Sequence, residues 1–172
     1  MKTYVLTISE FFPKTHNKST LPTGFIKSIS NKSKKHTIRG NYELWKKRFE
    51  KINDGKAVLS VRYWSGKPYK SKQIESFVFG KDDGIGIERL ILNPNCVVEG
   101  DMPYIESTGY HSSIKEKLAK NDGLSFEDFT KWFEKYDLSK AMAIIHFTDF
   151  RYCHYITNLV DGGVCGSINP TN

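Results

Sequence analysis

A short cation-rich run holds the residue types in this chain that are best suited to chemistry. Positions 34–39 read Lys34-Lys35-His36-Thr37-Ile38-Arg39, which places three cations, an imidazole and a hydroxyl within six residues. A threonine hydroxyl becomes a nucleophile when a neighbouring base takes its proton, and a lysine can be that base if burial or nearby cations lower its pKa. A run of like charges is also typical of a solvated face without chemistry. Both interpretations remain open at this point.

The end of this run is typical of an extended strand. Alternate side chains of a strand share a face, so one face is expected to carry Lys35, Thr37 and Arg39 and the other Lys34, His36 and Ile38. A twist or bulge at the entrance of the strand would still bring Lys34 near Thr37.

A predicted hairpin is the second candidate for a functional surface. Residues 57–64 alternate between apolar and polar, Ser65-Gly66-Lys67-Pro68 is typical of a turn, and residues 71–79 are expected to return as the partner strand. Basic and aromatic residues are interleaved near its tip: Arg62, Trp64, Lys67, Tyr69, Lys70 and Lys72. This composition favours phosphate contacts combined with stacking on bases, and it also occurs at ordinary polar hairpin ends.

The charge of the whole chain favours the same interpretation as the composition of the hairpin. The 172 residues carry a formal net charge of +7, and the isoelectric point is near 9.2. Such a charge favours a polyanionic partner, of which nucleic acid is the commonest. The charge alone is equally compatible with a basic protein that has no such partner.

The composition indicates a protein without membrane or cofactor. No run approaches the roughly 18 apolar residues of a spanning helix, and residues 1–6 lack the apolar stretch of a signal peptide. Cys96, Cys153 and Cys165 are odd in number and widely spaced, which predicts neither a disulfide framework nor a zinc ribbon. His146, Cys153 and His154 also lack zinc-ligand spacing, so no metal is expected. We therefore expect a cytoplasmic monomer or weak dimer.

The periodicity predicts an α+β domain. Strands are expected at residues 3–8, 37–39, 57–64, 71–79, 85–92 and 142–147, with a short helix opening at Pro22 and others over 41–53 and 112–120. Residues 97–110 are expected to form an irregular connection that could cover a pocket. One domain is expected over 1–155, followed by a tail over 156–172.

Two predicted helices carry strong local signals. In the helix over 41–53, an apolar stripe contains Leu44, Trp45, Phe49 and Ile52, and Trp45 is interpreted as a core residue rather than a platform for a base. A later helix is expected to start at Ser125 as its N-cap, with Leu124 packing against Phe129. Its core face is predicted to contain Phe126, Phe129, Trp132, Phe133 and Tyr136.

The motif Lys34-x-His36-Thr37-Ile38-Arg39, which follows a short helix and precedes a helix and a hairpin, resembles the signature of ASCH domains. These domains are small relatives of the PUA-like β-barrels, and the resemblance extends over roughly residues 4–152. It implies a PUA-like mixed β-barrel with flanking helices, within the α+β class that the periodicity predicts.

The resemblance also implies a catalytic set. In the ASCH-like amidohydrolases that remove acyl groups from the exocyclic amine of cytidine, a lysine, a threonine and a glutamate act together. The matching positions imply Lys34 as the base, Thr37 as the nucleophile and Asp122, one methylene shorter than glutamate, as the acid. Asp122 is expected close to a helix N-terminus, whose dipole favours the ionised carboxylate and opposes an acid role. Lys32 stands where the family has a glycine.

Binding and catalysis are therefore the two main hypotheses. The first is a module that binds RNA or a nucleotide in a basic cleft built around Lys34–Arg39, through Lys35, His36, Arg39, Arg62, Trp64, Lys67, Tyr69 and Lys70. The second is an amidohydrolase acting on a modified cytidine through Lys34, Thr37 and Asp122. A non-catalytic pocket for a nucleotide or protein ligand is a third possibility. We favour binding, because the shortened acid leaves the catalytic set incomplete.

Overall fold

The computed structural model describes residues 1–91, 97–99, 111–137 and 139–152, which form strands and helices in mixed order. The strands are β1 (Lys2–Thr7), β2 (His36–Gly40), β3 (Ala57–Trp64), β4 (Gln73–Phe79), β5 (Gly86–Ile91), β6 (Val97–Glu99) and β7 (Met142–His146). The helices are α1 (Phe25–Ser30), α2 (Tyr42–Asn53), α3 (His111–Asn121) and α4 (Phe126–Phe133). The predicted α+β class is confirmed.

The strands are arranged in two small sheets. The first has the order β1-β3-β4, with β1 parallel and β4 antiparallel to β3, and the second has the order β2-β7-β5-β6 with antiparallel neighbours throughout. Within the described ranges no strand pair joins the two sheets, so their hydrogen-bond ladders do not close into a barrel. The strand β6 lies inside the stretch that was expected to be irregular, while residues 100–110 and the tail over 156–172 fall outside the described residues.

Local sequence signals set the ends of α2 and the start of α4. The side chain of Asn41 accepts a hydrogen bond from the backbone N–H of Leu44 at the start of α2, and Gly55 follows the helix with a φ of +71°. Ser125 caps α4, because its hydroxyl accepts from the N–H of Asp128 at 3.1 Å. Both helix starts and the strand over 57–64 agree with the sequence predictions.

The core lies between the sheets and the inner faces of the helices. Leu59, Val61, Leu118, Ile144 and Ile145 are fully buried, and the predicted core position of Trp45 is confirmed. Three predicted core residues are instead exposed by about half: Leu44, Phe126 and Tyr136. Leu44 and Phe126 lie at the edges of the apolar stripes of α2 and α4, which are narrower than the spacing alone indicated, and Tyr136 lies beyond the end of α4 at Phe133.

None of the described helices is long and apolar enough to cross a membrane.

Candidate functional site

The candidate site is built around Lys34, which lies between α1 and β2. Its backbone N–H donates to the carbonyl of Ser28 at 2.9 Å, which closes the turn after α1 and directs the side chain inward. The side chain is fully buried, and its Nζ lies 3.9 Å from the centroid of the Phe25 ring. Gly123 packs against the aliphatic stem, where an added Cβ would lie 3.4 Å from the Cβ of Lys34. The ammonium group is therefore held away from water.

The partner of this ammonium group is Asp122. Lys34 Nζ lies 2.7 Å from Asp122 Oδ1 and also donates to the backbone carbonyl of Asp122. Asp122 follows the C-terminus of α3, and its N–H donates to the carbonyl of Leu118 at 2.8 Å. We expected the dipole of a helix N-terminus to act on Asp122. This expectation is wrong, because the helix end next to Asp122 in the chain is the C-terminus of α3, which presents carbonyl groups.

Burial is the main influence on the protonation of this pair. Burial raises the pKa of the Asp122 carboxyl, with the charge of Lys34 opposing it. Burial likewise lowers the pKa of Lys34, with Asp122 opposing it and Arg39 adding to the decrease. Both shifts are directed towards the neutral forms that a lysine base and a carboxylic acid require, and the attraction within the charged pair opposes both shifts.

Thr37 and Arg39 form a second contact beside this pair. Arg39 donates from Nη1 to Thr37 Oγ1 at 2.9 Å and from Nη2 to the carbonyl of Thr7 at 2.6 Å. The expectation that Thr37 and Arg39 share a face is therefore confirmed. Burial lowers the pKa of Arg39, and the charge of Asp122 opposes this shift. The Thr37–Arg39 contact is therefore close enough to the Lys34–Asp122 pair for their charges to interact. In the described contacts, the partner of the Thr37 hydroxyl is Arg39 rather than Lys34.

His36 belongs to a buried network that the sequence analysis missed. Its Nε2 lies 2.8 Å from the hydroxyl of Tyr152, and that hydroxyl accepts from Asn121 Nδ2 at 2.9 Å. The Tyr152 hydroxyl also lies 3.4 Å from the carbonyl of Lys117, and the donor and acceptor roles of the two His36 ring nitrogens depend on the tautomer. Among the residues that the structure describes, Nδ1 of His36 has no hydrogen-bond partner, and it lies 3.7 Å from Asp122 Oδ1. His36 is fully buried, so its ring is not accessible to a nucleic acid in this conformation.

The network continues across the second sheet to His146. His36 and His146 are directly opposite each other in the β2–β7 pair, with ring centroids 5.6 Å apart. His146 Nε2 lies 2.7 Å from Glu88 Oε2, which also accepts from the N–H of Tyr152 at 3.0 Å. Burial lowers the pKa of both histidines, and the proximity of His146 lowers that of His36 further. The alternation in β5, which places Glu88 on the same face as the buried Leu90, was the one sequence signal for this network.

The tip of the β3–β4 hairpin exposes an aromatic pair. The rings of Trp64 and Tyr69 lie 5.3 Å apart, and Tyr69 is 89% exposed. Tyr69 has a φ of +62°, a left-handed conformation that is strained for a bulky residue. Lys67 and Lys70 are exposed beside it, and within the described part of the chain neither has a carboxylate at ion-pair distance.

The other predicted binding cations, Arg39 included, have partners. Arg62 lies 3.0 Å from Glu75 through Nη2 and donates to Ser60 Oγ at 2.8 Å. Lys35 is partly buried, with its Nζ 4.7 Å from the centroid of the Phe150 ring. The predicted binding residues therefore divide into an exposed hairpin tip and a set already engaged within the protein.

Thr7 connects the buried site to the base of the hairpin. Its carbonyl accepts from Arg39 Nη2, and its Oγ1 accepts from Gln73 Nε2 of β4 at 3.4 Å. Thr7 is also paired with Arg62 in the register of β1 and β3. The strand end at Thr7 thus lies between the Thr37–Arg39 contact and the strands that carry the exposed tip.

No protein-family model, curated protein or solved structure matches the chain. The functional assignment therefore depends on the chemistry of these residues.

Proposed function

We propose that the protein binds single-stranded nucleic acid, namely RNA, through the tip of the β3–β4 hairpin, and that it is a PUA-like module of the ASCH type. The observation that carries this proposal is the exposure of Tyr69 beside Trp64, between the exposed cations Lys67 and Lys70. An exposed aromatic ring supplies a face on which a base can stack, and the lysines supply charge for the adjacent phosphates. The strained backbone of Tyr69 supports the same proposal, because strain of this kind is concentrated at ligand-contacting positions.

The salt dependence of binding tests this function. Neutralising roughly 4 to 6 phosphates of a single strand gives a slope of about −3 to −4 in a plot of log affinity against log salt concentration. We expect this slope for a labelled RNA oligonucleotide titrated with the protein. An affinity that is unchanged between low and physiological salt would contradict the proposal.

The buried Lys34–Asp122 pair favours a second candidate, an amidohydrolase acting on an acylated cytidine. In this hypothesis Thr37 Oγ1 attacks the acyl carbon, its proton passes to neutral Lys34, and the C–N bond breaks as Asp122 protonates the departing amine. Water then hydrolyses the ester on Thr37. The pKa directions of Lys34 and Asp122 suit these roles, and Arg39 holds the Thr37 hydroxyl in a fixed position.

Turnover of free acylated cytidine, followed by chromatography, tests this candidate. Activity should be lost in Thr37→Ala and retained in the control Thr130→Ala, which removes an exposed hydroxyl on α4. Full activity of Thr37→Ala would exclude the mechanism.

A further inference from the structure

The buried site holds a ring nitrogen without a hydrogen bond. Nδ1 of His36 is buried and, among the residues that the structure describes, has no hydrogen-bond partner. It lies 3.7 Å from Oδ1 of Asp122, the same oxygen that lies 2.7 Å from Lys34 Nζ. A buried polar atom without a partner costs free energy unless it gains one in another state of the site. The carboxyl of Asp122 beside it is a group that can change its state, because it can gain or lose a proton.

The opposite nitrogen of His36 faces a group that can both donate and accept. His36 Nε2 lies 2.8 Å from the hydroxyl of Tyr152. That hydroxyl accepts from Asn121 Nδ2 at 2.9 Å and lies 3.4 Å from the carbonyl of Lys117. When Nε2 lacks a proton, the hydroxyl can donate to it. When Nε2 carries the proton, the hydroxyl can accept it and turn its own proton towards Lys117. Tyr152 therefore accommodates either tautomer of the neutral ring.

The two tautomers suit the two protonation states of Asp122. With the ring proton on Nδ1, His36 presents a donor to the ionised carboxylate. With the ring proton on Nε2, Nδ1 presents a lone pair that can accept from the protonated carboxyl. A hydrogen bond requires about 2.7–3.2 Å, so the two groups must approach from 3.7 Å by at least about 0.5 Å. Hydrogen bonds of catalytic groups are often long in the free protein and shorten in the complex.

We propose that His36 is a positioning residue for Asp122, and that its ring supports this carboxyl in both protonation states by changing its tautomer, with the Tyr152 hydroxyl as the partner of Nε2 in each case. This inference rests on the amidohydrolase proposed above as the second candidate, in which Asp122 protonates the departing amine. The protons balance, because one proton passes from the carboxyl to the amine while the single ring proton changes from Nε2 to Nδ1. The imidazole stays neutral throughout, as its burial favours.

The charges around the ring favour a change of tautomer over a gain of charge. Burial lowers the pKa of His36, and three neighbouring basic groups add to this effect: His146, Lys34 and Lys35. The carboxylate of Glu88 is paired with His146. Burial raises the pKa of Asp122, and the charges of Lys34 and Arg39 oppose this shift. The carboxyl is therefore the member of the His36–Asp122 contact that changes its charge.

Nuclear magnetic resonance of the unmodified full chain tests the proposal, because nitrogen chemical shifts distinguish a protonated ring nitrogen from an unprotonated one. We expect the ring proton of His36 to move from Nδ1 to Nε2 as the pH falls, at the pH where the carboxyl carbon of Asp122 titrates. His146 is the internal control, since its Nε2 lies 2.7 Å from Glu88 and should keep its proton through that titration. In Asp122→Asn the change of tautomer should be absent.

Two substitutions at His36 separate the two ring nitrogens. An asparagine amide reaches the position of Nδ1 and a glutamine amide the position of Nε2, so His36→Asn keeps a partner for Asp122 and His36→Gln does not. We expect His36→Gln to lower kcat for acylated cytidine about tenfold with KM unchanged, the factor for loss of one hydrogen bond to a charged group. His36→Asn should recover part of this loss. Equal losses of kcat in the two variants would overturn the positioning role.

The titration does not depend on turnover, so the two hypotheses can fail separately. A His36 ring that keeps one tautomer, or becomes an imidazolium, down to the pH of acid unfolding would overturn this inference even in an active protein. Absence of turnover together with the expected change of tautomer would overturn the amidohydrolase, while the support of Asp122 by His36 would stand. Melting temperatures establish which variants are folded, and the unmodified protein keeps the test decisive if a variant is unstable.

Discussion

The ammonium group of Lys34 lies 2.7 Å from Oδ1 of Asp122, and both side chains are buried. A buried charge pair is weak evidence for stability, because the cost of removing both groups from water offsets much of their attraction. Perturbed buried groups of this kind are more common at functional sites than elsewhere. The pair is therefore the main functional candidate in the buried site, and its disruption should have a measurable effect on stability.

Removing one member of the pair should be strongly destabilising. Lys34→Met leaves the Asp122 carboxyl buried without its partner, and we expect the free energy of unfolding in urea to fall by about 3–5 kcal/mol. Lys56→Met is the control, since Lys56 and Asp54 form a pair at 3.0 Å with both side chains exposed. That variant should change stability by at most about 1 kcal/mol. Equal effects of the two variants would contradict the burial of Lys34.

Stability should decrease as the pH falls below about 6.5. Burial lowers the pKa of His36 well below the ordinary value of 6.5, and it lowers the pKa of His146 in the same direction. Below the unfolded-state value, the unfolded chain binds protons that the folded protein does not, so the stability present at neutral pH is lost on acidification. The slope should approach about 1.4 kcal/mol per pH unit for each histidine.

Urea unfolding between about pH 7 and pH 5 measures this slope, and comparison with His36→Gln separates the histidine contribution from that of Asp122, whose raised pKa acts with the opposite sign. His36→Gln should reduce the slope because it removes one titrating group from the network. Equal slopes for the unmodified protein and His36→Gln would mean that His36 is not buried in its neutral form.

Gly123 should be intolerant of a side chain. Its φ of +76° is left-handed, and an added Cβ would meet three stem carbons of Lys34 at 3.4–3.5 Å. We expect Gly123→Ala to reduce the free energy of unfolding by about 1–2 kcal/mol. Gly40→Ala provides the comparison, because nothing lies within 4 Å of its added Cβ and its φ is outside the left-handed range. Identical melting temperatures for the two variants would argue against this backbone conformation.

Local structure was predictable from the sequence wherever a short-range rule decides it. The start of the helix predicted over 41–53, the cap at Ser125 and the alternation over 57–64 depend on neighbouring residues only. The exposure of Leu44 and Phe126 was not predictable, because the width of the packed stripe depends on which elements cover the helix. Spacing gives the direction of a face but not its boundary.

The buried network depended on contacts between distant parts of the chain. His36 meets His146 because β2 pairs with β7, and Glu88 reaches His146 because β5 lies on the other side of β7. A single sequence does not specify these partners. The contact between Lys34 and Asp122 followed from the family resemblance, whereas the position of Asp122 after a helix C-terminus depended on where α3 ends.

The most direct test of the central claim is fluorescence anisotropy of a single-stranded RNA with hairpin variants. We predict that Tyr69→Ala weakens binding roughly 5- to 150-fold, the range for loss of one stacked base. The double variant Lys67→Glu/Lys70→Glu should flatten the salt slope by about 1.4, while Lys46→Glu/Lys47→Glu, the same change of charge on exposed positions of α2, should leave it nearly unchanged. Equal losses for the hairpin and α2 variants would mean that binding follows net charge alone, and would contradict a binding surface at the hairpin tip.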